Sequence, residues 1–218
     1  MNFNLPKNEL NVENREVSEK TEEIFSITDK ISMLLKDNNL EGWVIGGLAA
    51  DAYAGKIMRE HSDADFVVWQ KDREKIAEIL QKNFNIEKGR RNKNGEFVAT
   101  PHKIVAKRGQ SDADIAFLEY DEETNEFFCS LMPELRFPQK FLAKKEVSLT
   151  LSDGSKSTYT VPSAELLLAL KIKSERTLDK KDVDLLIKQI DDPNKVEEIR
   201  EKYAFDYNKF REIAWEEK

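Results

Sequence analysis

The stretch Trp43-Val44-Ile45-Gly46-Gly47-Leu48-Ala49-Ala50-Asp51, followed at 63–65 by Asp63-Ala64-Asp65, decides how the chain is read. Trp43-Val44-Ile45 is a short apolar run of strand type, and the Ala-rich residues 48–54 suit a short helix that Gly55 would cap. A glycine pair between a strand and a helix lets backbone N–H groups approach an anion, and the helix N-terminus adds a favourable dipole. On a strand over 63–69, residues i and i+2 share a face, so Asp63 and Asp65 present their carboxylates together. Like charges at this spacing are unfavourable unless a cation joins them. Paired carboxylates suit Mg²⁺, which keeps its remaining positions for water and phosphate oxygens.

Working outward, residues 1–15 are polar and Asn-rich and read as a loose arm. Ile24, Ile27, Ile31, Leu34 and Leu35 recur at helical spacing and predict an amphipathic helix over 17–38. A further helix is expected at 73–84, a hairpin loop or exposed turn at 88–95, and strands at 97–106 and 113–120. Residues 146–151 and 156–161 flank Asp153-Gly154, a hairpin signal. Beyond Pro162 the pattern turns helical: Ser163 is a candidate N-cap, and further helices are expected at 180–190, 194–203 and 207–215. The fold class expected is α+β (α/β), a mixed sheet flanked by helices. An α/β domain would span residues 1–161 and a helical region residues 162–218.

The chain has 218 residues, of which 39% are hydrophobic and 35% charged, with a formal net charge of -7. That balance repels a phosphate backbone and disfavours long nucleic acid, although a nucleotide can bind through cations held by carboxylates. Cys129 is the only cysteine, which excludes an intrachain disulfide and a cysteine-based zinc cluster; it reads as a small buried hydrophobe. No apolar run approaches the roughly 20 residues that span a bilayer, and no basic-then-apolar leader opens the chain, so a cytoplasmic location is expected.

Asp114, at the start of the apolar run Ile115-Ala116-Phe117-Leu118, is the best candidate for a third carboxylate. A neighbouring strand would bring it beside Asp63 and Asp65, where it could take a hydroxyl proton. Asp112 shares its strand face and is the alternative. Arg59 is a candidate phosphate ligand, or else an ion-pair partner of Glu60 or Asp51. His61 is expected to hydrogen-bond backbone leading into the strand rather than to bind metal. Lys171 is a candidate triphosphate contact, or else part of a solvated face of alternating charge. Trp43 is assigned to the core, and Phe127, Phe128 and Phe137 to the core or to an acceptor pocket.

Taken together, Gly46-Gly47-Leu48-Ala49-Ala50-Asp51, Gly55-Lys56, Arg59, His61 and Asp63-Ala64-Asp65 resemble the signature of the DNA polymerase beta-like nucleotidyltransferases. The resemblance is strongest to the lincosamide and aminoglycoside 2''-adenylyltransferase branch. Thr100-Pro101-His102 through Asp114 and the segment from Pro162 to Asp184 are similar to later parts of that family. The resemblance implies metal binding by Asp63 and Asp65, base or metal duty for Asp114, and triphosphate contact by Gly46, Gly47 and Ser62. It also implies two Mg²⁺ ions, ATP or another nucleoside triphosphate as co-substrate, and a small hydroxylated acceptor such as an antibiotic. Leu48 departs from the Trp usual after the glycine pair in the antibiotic-modifying enzymes. Two alternatives are a nucleotidyltransferase acting on a protein or RNA, and a catalytically silent nucleotide-binding module.

Overall fold

A computed structural model describes residues 18–91, 97–151, 153–174 and 176–206. It opens with helix α1 (Glu19–Asp37), whose N-cap Ser18 accepts a hydrogen bond from the Thr21 N–H and whose apolar stripe places Ile24, Ile27 and Ile31 in the core. Strand β1 (Gly42–Ile45) runs directly into α2 (Gly46–Ala54), so the glycine pair forms the first turn of the helix instead of preceding it. Gly55 ends α2 in the left-handed conformation, with φ of 71°. Strand β2 (Ala64–Trp69) and α3 (Arg73–Gln81) follow.

The segment expected as a turn at 88–95 departs from that expectation. Residues 88–91 continue strand β3 (Asn85–Arg91), while 92–96 lie outside the described residues. Polar composition concealed the strand because β3 is the last strand in the order β1-β2-β5-β4-β3, where charged residues are the normal way to protect an edge. Strands β4 (Phe97–Arg108) and β5 (Ser111–Asp121) form a hairpin longer than the apolar runs suggested. Two strands not anticipated, β6 (Glu126–Cys129) and β7 (Met132–Pro138), extend the sheet from the far end of β5.

β2 and β5 are parallel, with Ala64 opposite Ala113, Asp65 opposite Asp114 and Phe66 opposite Ile115. Every other pair in the large sheet is antiparallel. Strand alternation then separates two faces. Ala64, Phe66 and Val68 with Ala113, Ile115 and Phe117 are buried on one of them, where α1 packs and the Ser111 hydroxyl donates to Glu23. Asp65 and Val67 with Asp114 and Ala116 look the other way.

The hairpin read around Asp153-Gly154 is present as β8 (Lys145–Thr150) and β9 (Lys156–Val161), but it forms a separate two-stranded sheet joined to the end of α2 by a bridge between Lys56 and Thr150. Ser163 caps α4 (Ala164–Lys171) by accepting from the Leu166 N–H. Helices α5 (Thr177–Ile187) and α6 (Pro193–Glu198) follow, and a π-helical turn at Ile199–Tyr203 completes the segment expected as one helix. The helix expected at 207–215 lies outside the described residues. One hydrophobic cluster runs through both sides of Pro162, taking in Phe66, Phe117, Tyr159, Leu167, Leu168 and Ile199. No helix of the described residues is long and apolar enough to cross a membrane.

Phe66→Ala empties a fully buried site on the helix-covered face and is expected to lower unfolding free energy by about 3–5 kcal/mol. Urea denaturation followed by circular dichroism measures the loss.

Candidate active site

The open face of the sheet looks into a cavity of about 460 Å³ roofed by α4 and the start of α5. Gly46, Gly47, Ser62, Asp63, Asp65 and Asp114 all line it. Asp63 stands immediately before β2 and is exposed, because strand pairing begins at Ala64; Asp65 is the member of the pair that the sheet itself holds. Asp114 faces the cavity from the adjacent strand, paired in register with Asp65. Asp112 shares the Asp114 face but does not line the cavity, and pairs in register with Lys107.

Burial pushes the Asp65 carboxyl up to about 7, helped by the negative charges of Asp63 and Asp114 and opposed by Lys103 and Lys171. Asp114 is raised as well, first by burial, while the Lys103 ammonium that hydrogen-bonds it pulls the other way. Three acids therefore converge where the protein's own cations compensate them only in part. A divalent ion fits this donor set, since it would offset the repulsion that burial magnifies. Asp65 and Asp63 supply hard oxygens, although among the described residues no three such side chains stand preassembled around one point, Asp114 being engaged by Lys103.

Gly46 has φ of 70°, and a Cβ there would collide with the Asp65 carboxylate. A Cβ on Gly47 would collide with the Arg59 guanidinium. The glycines thus let the first turn of α2 close against one acid and one base of the site. Ser62 donates its hydroxyl to Asp63 Oδ1 at 3.0 Å.

Arg59 does not pair with Glu60 or Asp51. Its Nη2 donates to Asp182 Oδ2 at 3.2 Å and its Nη1 to the Glu60 carbonyl, while its buried Nε has no partner among the described residues. The Arg59 side chain lines the cavity, and a guanidinium charge there suits a phosphate. Glu60 instead accepts from Ser18 and Thr21 at the start of α1. His61 bonds a side chain instead of backbone: its Nε2 lies 2.8 Å from Asp51 Oδ2, which also accepts the Met58 N–H, and both residues are buried.

Lys171 is not on a solvated face. Its ammonium sits between Asp179 at 2.7 Å and Asp182 at 2.9 Å and is buried, lining the cavity from α4. Burial pushes the Asp179 carboxyl up, but hydrogen bonds from Arg176, Lys171 and Ser174 outweigh it and hold the group below the usual carboxylate range. The sequence placed Lys103 and Asp182 only within segments that resemble the family and gave no role to either or to Asp179, because their meaning lies in contacts between distant segments.

At the other end of the cavity, Phe127 stacks on Phe137 with centroids 5.5 Å apart, and both line the wall, whereas Phe128 carries Arg136 over its ring. Trp43 is core, edge-on to Trp69. Cys129 is half-buried and lines the cavity, with burial pushing its thiol up to about 11.

A glycine turn beside carboxylates on two adjacent strands, set into one face of a mixed sheet, is an arrangement suited to nucleotidyl transfer. The sequence matches the family model of aminoglycoside-2''-adenylyltransferase over residues 28–138, just over half of the chain, and the chain belongs to that family. Among solved structures it is similar to lincomycin-bound lincosamide antibiotic adenylyltransferase LnuA, at 20% identity and a TM-score of 0.53, covering 80% of this chain and 99% of that one. It is also similar to ANT(2'')-Ia in complex with adenylyl-2''-tobramycin, at 18% identity and a TM-score of 0.58, covering 84% of this chain and 97% of that one. These likenesses establish the fold. No curated protein sequence matches. Membership makes the chain an enzyme that uses a nucleoside triphosphate, and a divalent metal is the family's usual helper.

Asp65 ionises less readily in the folded chain than in the unfolded one, so without a cation folding loses free energy as pH rises from the ordinary carboxylate range through about 7. Asp65→Asn is therefore expected to melt above the parent in EDTA at pH 8, by about 2–4 °C for each kcal/mol recovered, with the gap closing towards pH 4. Mg²⁺ should raise the melting temperature of the parent and leave that of the variant unchanged, as scanning fluorimetry would show. Alkylation of Cys129 by iodoacetamide at pH 8 is expected to run on the order of 100-fold slower than that of an unperturbed thiol.

Proposed function

We propose that the enzyme transfers the AMP unit of ATP to a hydroxyl of a small acceptor of the antibiotic type, with Asp63 and Asp65 as ligands for two Mg²⁺ ions and Asp114 as the base. The observation that carries this is the in-register pairing of Asp65 with Asp114 at the floor of a cavity whose rim includes Gly46, Gly47 and Asp63.

The triphosphate lies against the first turn of α2, where the backbone N–H groups of Gly46 and Gly47 meet it, and Ser62 and the Arg59 guanidinium complete its contacts. Mg²⁺, when bound, supplies charge neutralisation at the phosphate oxygens and favours an ionised acceptor oxygen. Displacement at the α-phosphorus is in line, so the acceptor approaches from the side opposite the leaving pyrophosphate, that is, from the β5 side. Its hydroxyl proton passes to an Asp114 carboxylate oxygen as the oxygen bonds the α-phosphorus. The bond from that phosphorus to the bridging oxygen breaks, and pyrophosphate leaves with the electron pair. Burial raises the proton affinity of Asp114, and the Lys103 ammonium opposes that rise, so the carboxylate takes up a proton more readily than an exposed aspartate.

Lys171 lies within the cavity wall but spends its charge on Asp179 and Asp182. It serves the triphosphate by holding Asp182, which in turn orients Arg59. The α/β unit to residue 161 supplies the acids and the helical region from 162 supplies this brace and the roof. The formal charge of -7 favours a small acceptor over RNA.

Incubation with ATP, Mg²⁺ and a panel of hydroxylated antibiotics is expected to release pyrophosphate, and EDTA to stop it. Asp63→Asn and Asp65→Asn should each lower kcat at least about a thousand-fold with the circular dichroism spectrum retained. Parent-like turnover by either variant would remove the metal assignment.

A further inference from the structure

Of the three acids at the site, Asp65 and Asp114 are fixed by strand pairing, whereas Asp63 ends the segment joining α2 to β2 and precedes the first paired residue, Ala64. Its place therefore follows from whatever anchors that segment. Two anchors converge on one atom: Asp51 Oδ2, on α2, accepts the Met58 N–H at 2.9 Å and lies 2.8 Å from His61 Nε2. Facing a carboxylate oxygen, Nε2 is the donor. The His61 N–H donates to Thr21 Oγ1 on α1 at 3.3 Å, and Phe25 meets the imidazole edge-on with centroids 6.2 Å apart.

Asp51 and His61 are both buried, which shields their bond from competing water. The ring also lies close under the glycine pair, since its Cε1 would be 3.1 Å from a Cβ on Gly47. Helix α2 thus presents Gly46 and Gly47 in its first turn and, from Asp51 one turn further on, grips residue 61, two positions before Asp63. A metal shared between Asp63, Asp65 and triphosphate oxygens needs those two places held at one separation.

We infer that His61, held by Asp51, is a positioning residue for the metal: it fixes Asp63 relative to the first turn of α2. With Nε2 spent on Asp51, His61 acts through the backbone of Ser62 and Asp63 instead of as a ligand. This rests on the proposed metal role of Asp63 and Asp65.

The test is isothermal titration calorimetry with α,β-methylene ATP, measured once with Mn²⁺ and once in EDTA, so that the gain in affinity on adding Mn²⁺ reads the metal site. His61→Phe fills the ring volume and loses the bond, whereas His61→Gln keeps a donor at the reach of Nε2. His61→Phe is expected to lose about ten-fold or more of the Mn²⁺ gain, while affinity in EDTA stays within about two-fold and His61→Gln keeps most of the gain. Asp51→Leu should match His61→Phe, and the double variant should lose no more than either alone, because the two residues act as one unit. Should Asp51→Leu not fold, the comparison of His61→Phe with His61→Gln decides.

A parent-like Mn²⁺ gain in His61→Phe would overturn the inference, as would equal losses in Phe and Gln, additive losses in the double variant, or an equal fall in EDTA. Asp65→Asn separates this from the underlying reading. If the parent shows no Mn²⁺ gain, or Asp65→Asn retains it, the metal assignment falls and the positioning role falls with it. If Asp65→Asn loses the gain and His61→Phe keeps it, the positioning role alone is overturned.

Discussion

The structure depends on the parallel pairing of β2 with β5 in the register that sets Asp65 opposite Asp114. What enforces this register is the reverse side of the same strands. Phe66, Val68, Ile115 and Phe117 are buried there beneath α1, and a slip by one residue would turn them to the cavity and drive both acids into hydrocarbon. Apolar burial thus holds two like charges together that would separate if left alone. Lys103 from β4 moderates the conflict, and Gly46 keeps the α2 backbone close without a side chain to displace Asp65.

Much of this was legible in the sequence, for identifiable reasons. The helix at α1, the strand into the glycine pair, the β8–β9 hairpin and the Ser163 cap are written in local periodicity and turn chemistry, which act over a few residues. The edge strand β3 was not legible, since an edge carries charge to avoid pairing with other chains and so imitates a loop. β6 and β7 were missed because their stretches mix aromatic residues with Glu126, Glu134 and Arg136 and keep no clean alternation. They form much of the apolar wall of the cavity.

For the site, Asp63, Asp65 and Asp114 could be chosen because chemistry demands acids and spacing limits which ones. The partners of Arg59, His61 and Lys171 could not, since each is met by a residue from another element. Arg59 reaches across 123 positions to Asp182, while His61 reaches back ten to Asp51 within a buried pair that sequence offers no reason to prefer over Glu60. Charge patterning left a solvated face open for Lys171 through Lys181 because alternating Lys and Asp look alike whether they face water or one another.

The chain of contacts from Arg59 through Asp182 and Lys171 to Asp179 and Arg176 bears on how portable the site is. Its acids and glycines occupy one contiguous stretch and a neighbouring strand, which invites transplanting them onto another scaffold or excising them as a minimal unit. A graft that stopped at β9 would leave behind the carboxylates that orient Arg59 and the leucines that roof the cavity. The smallest transferable unit therefore extends through α5, and its boundary is drawn by electrostatics instead of by the hairpin that punctuates the chain.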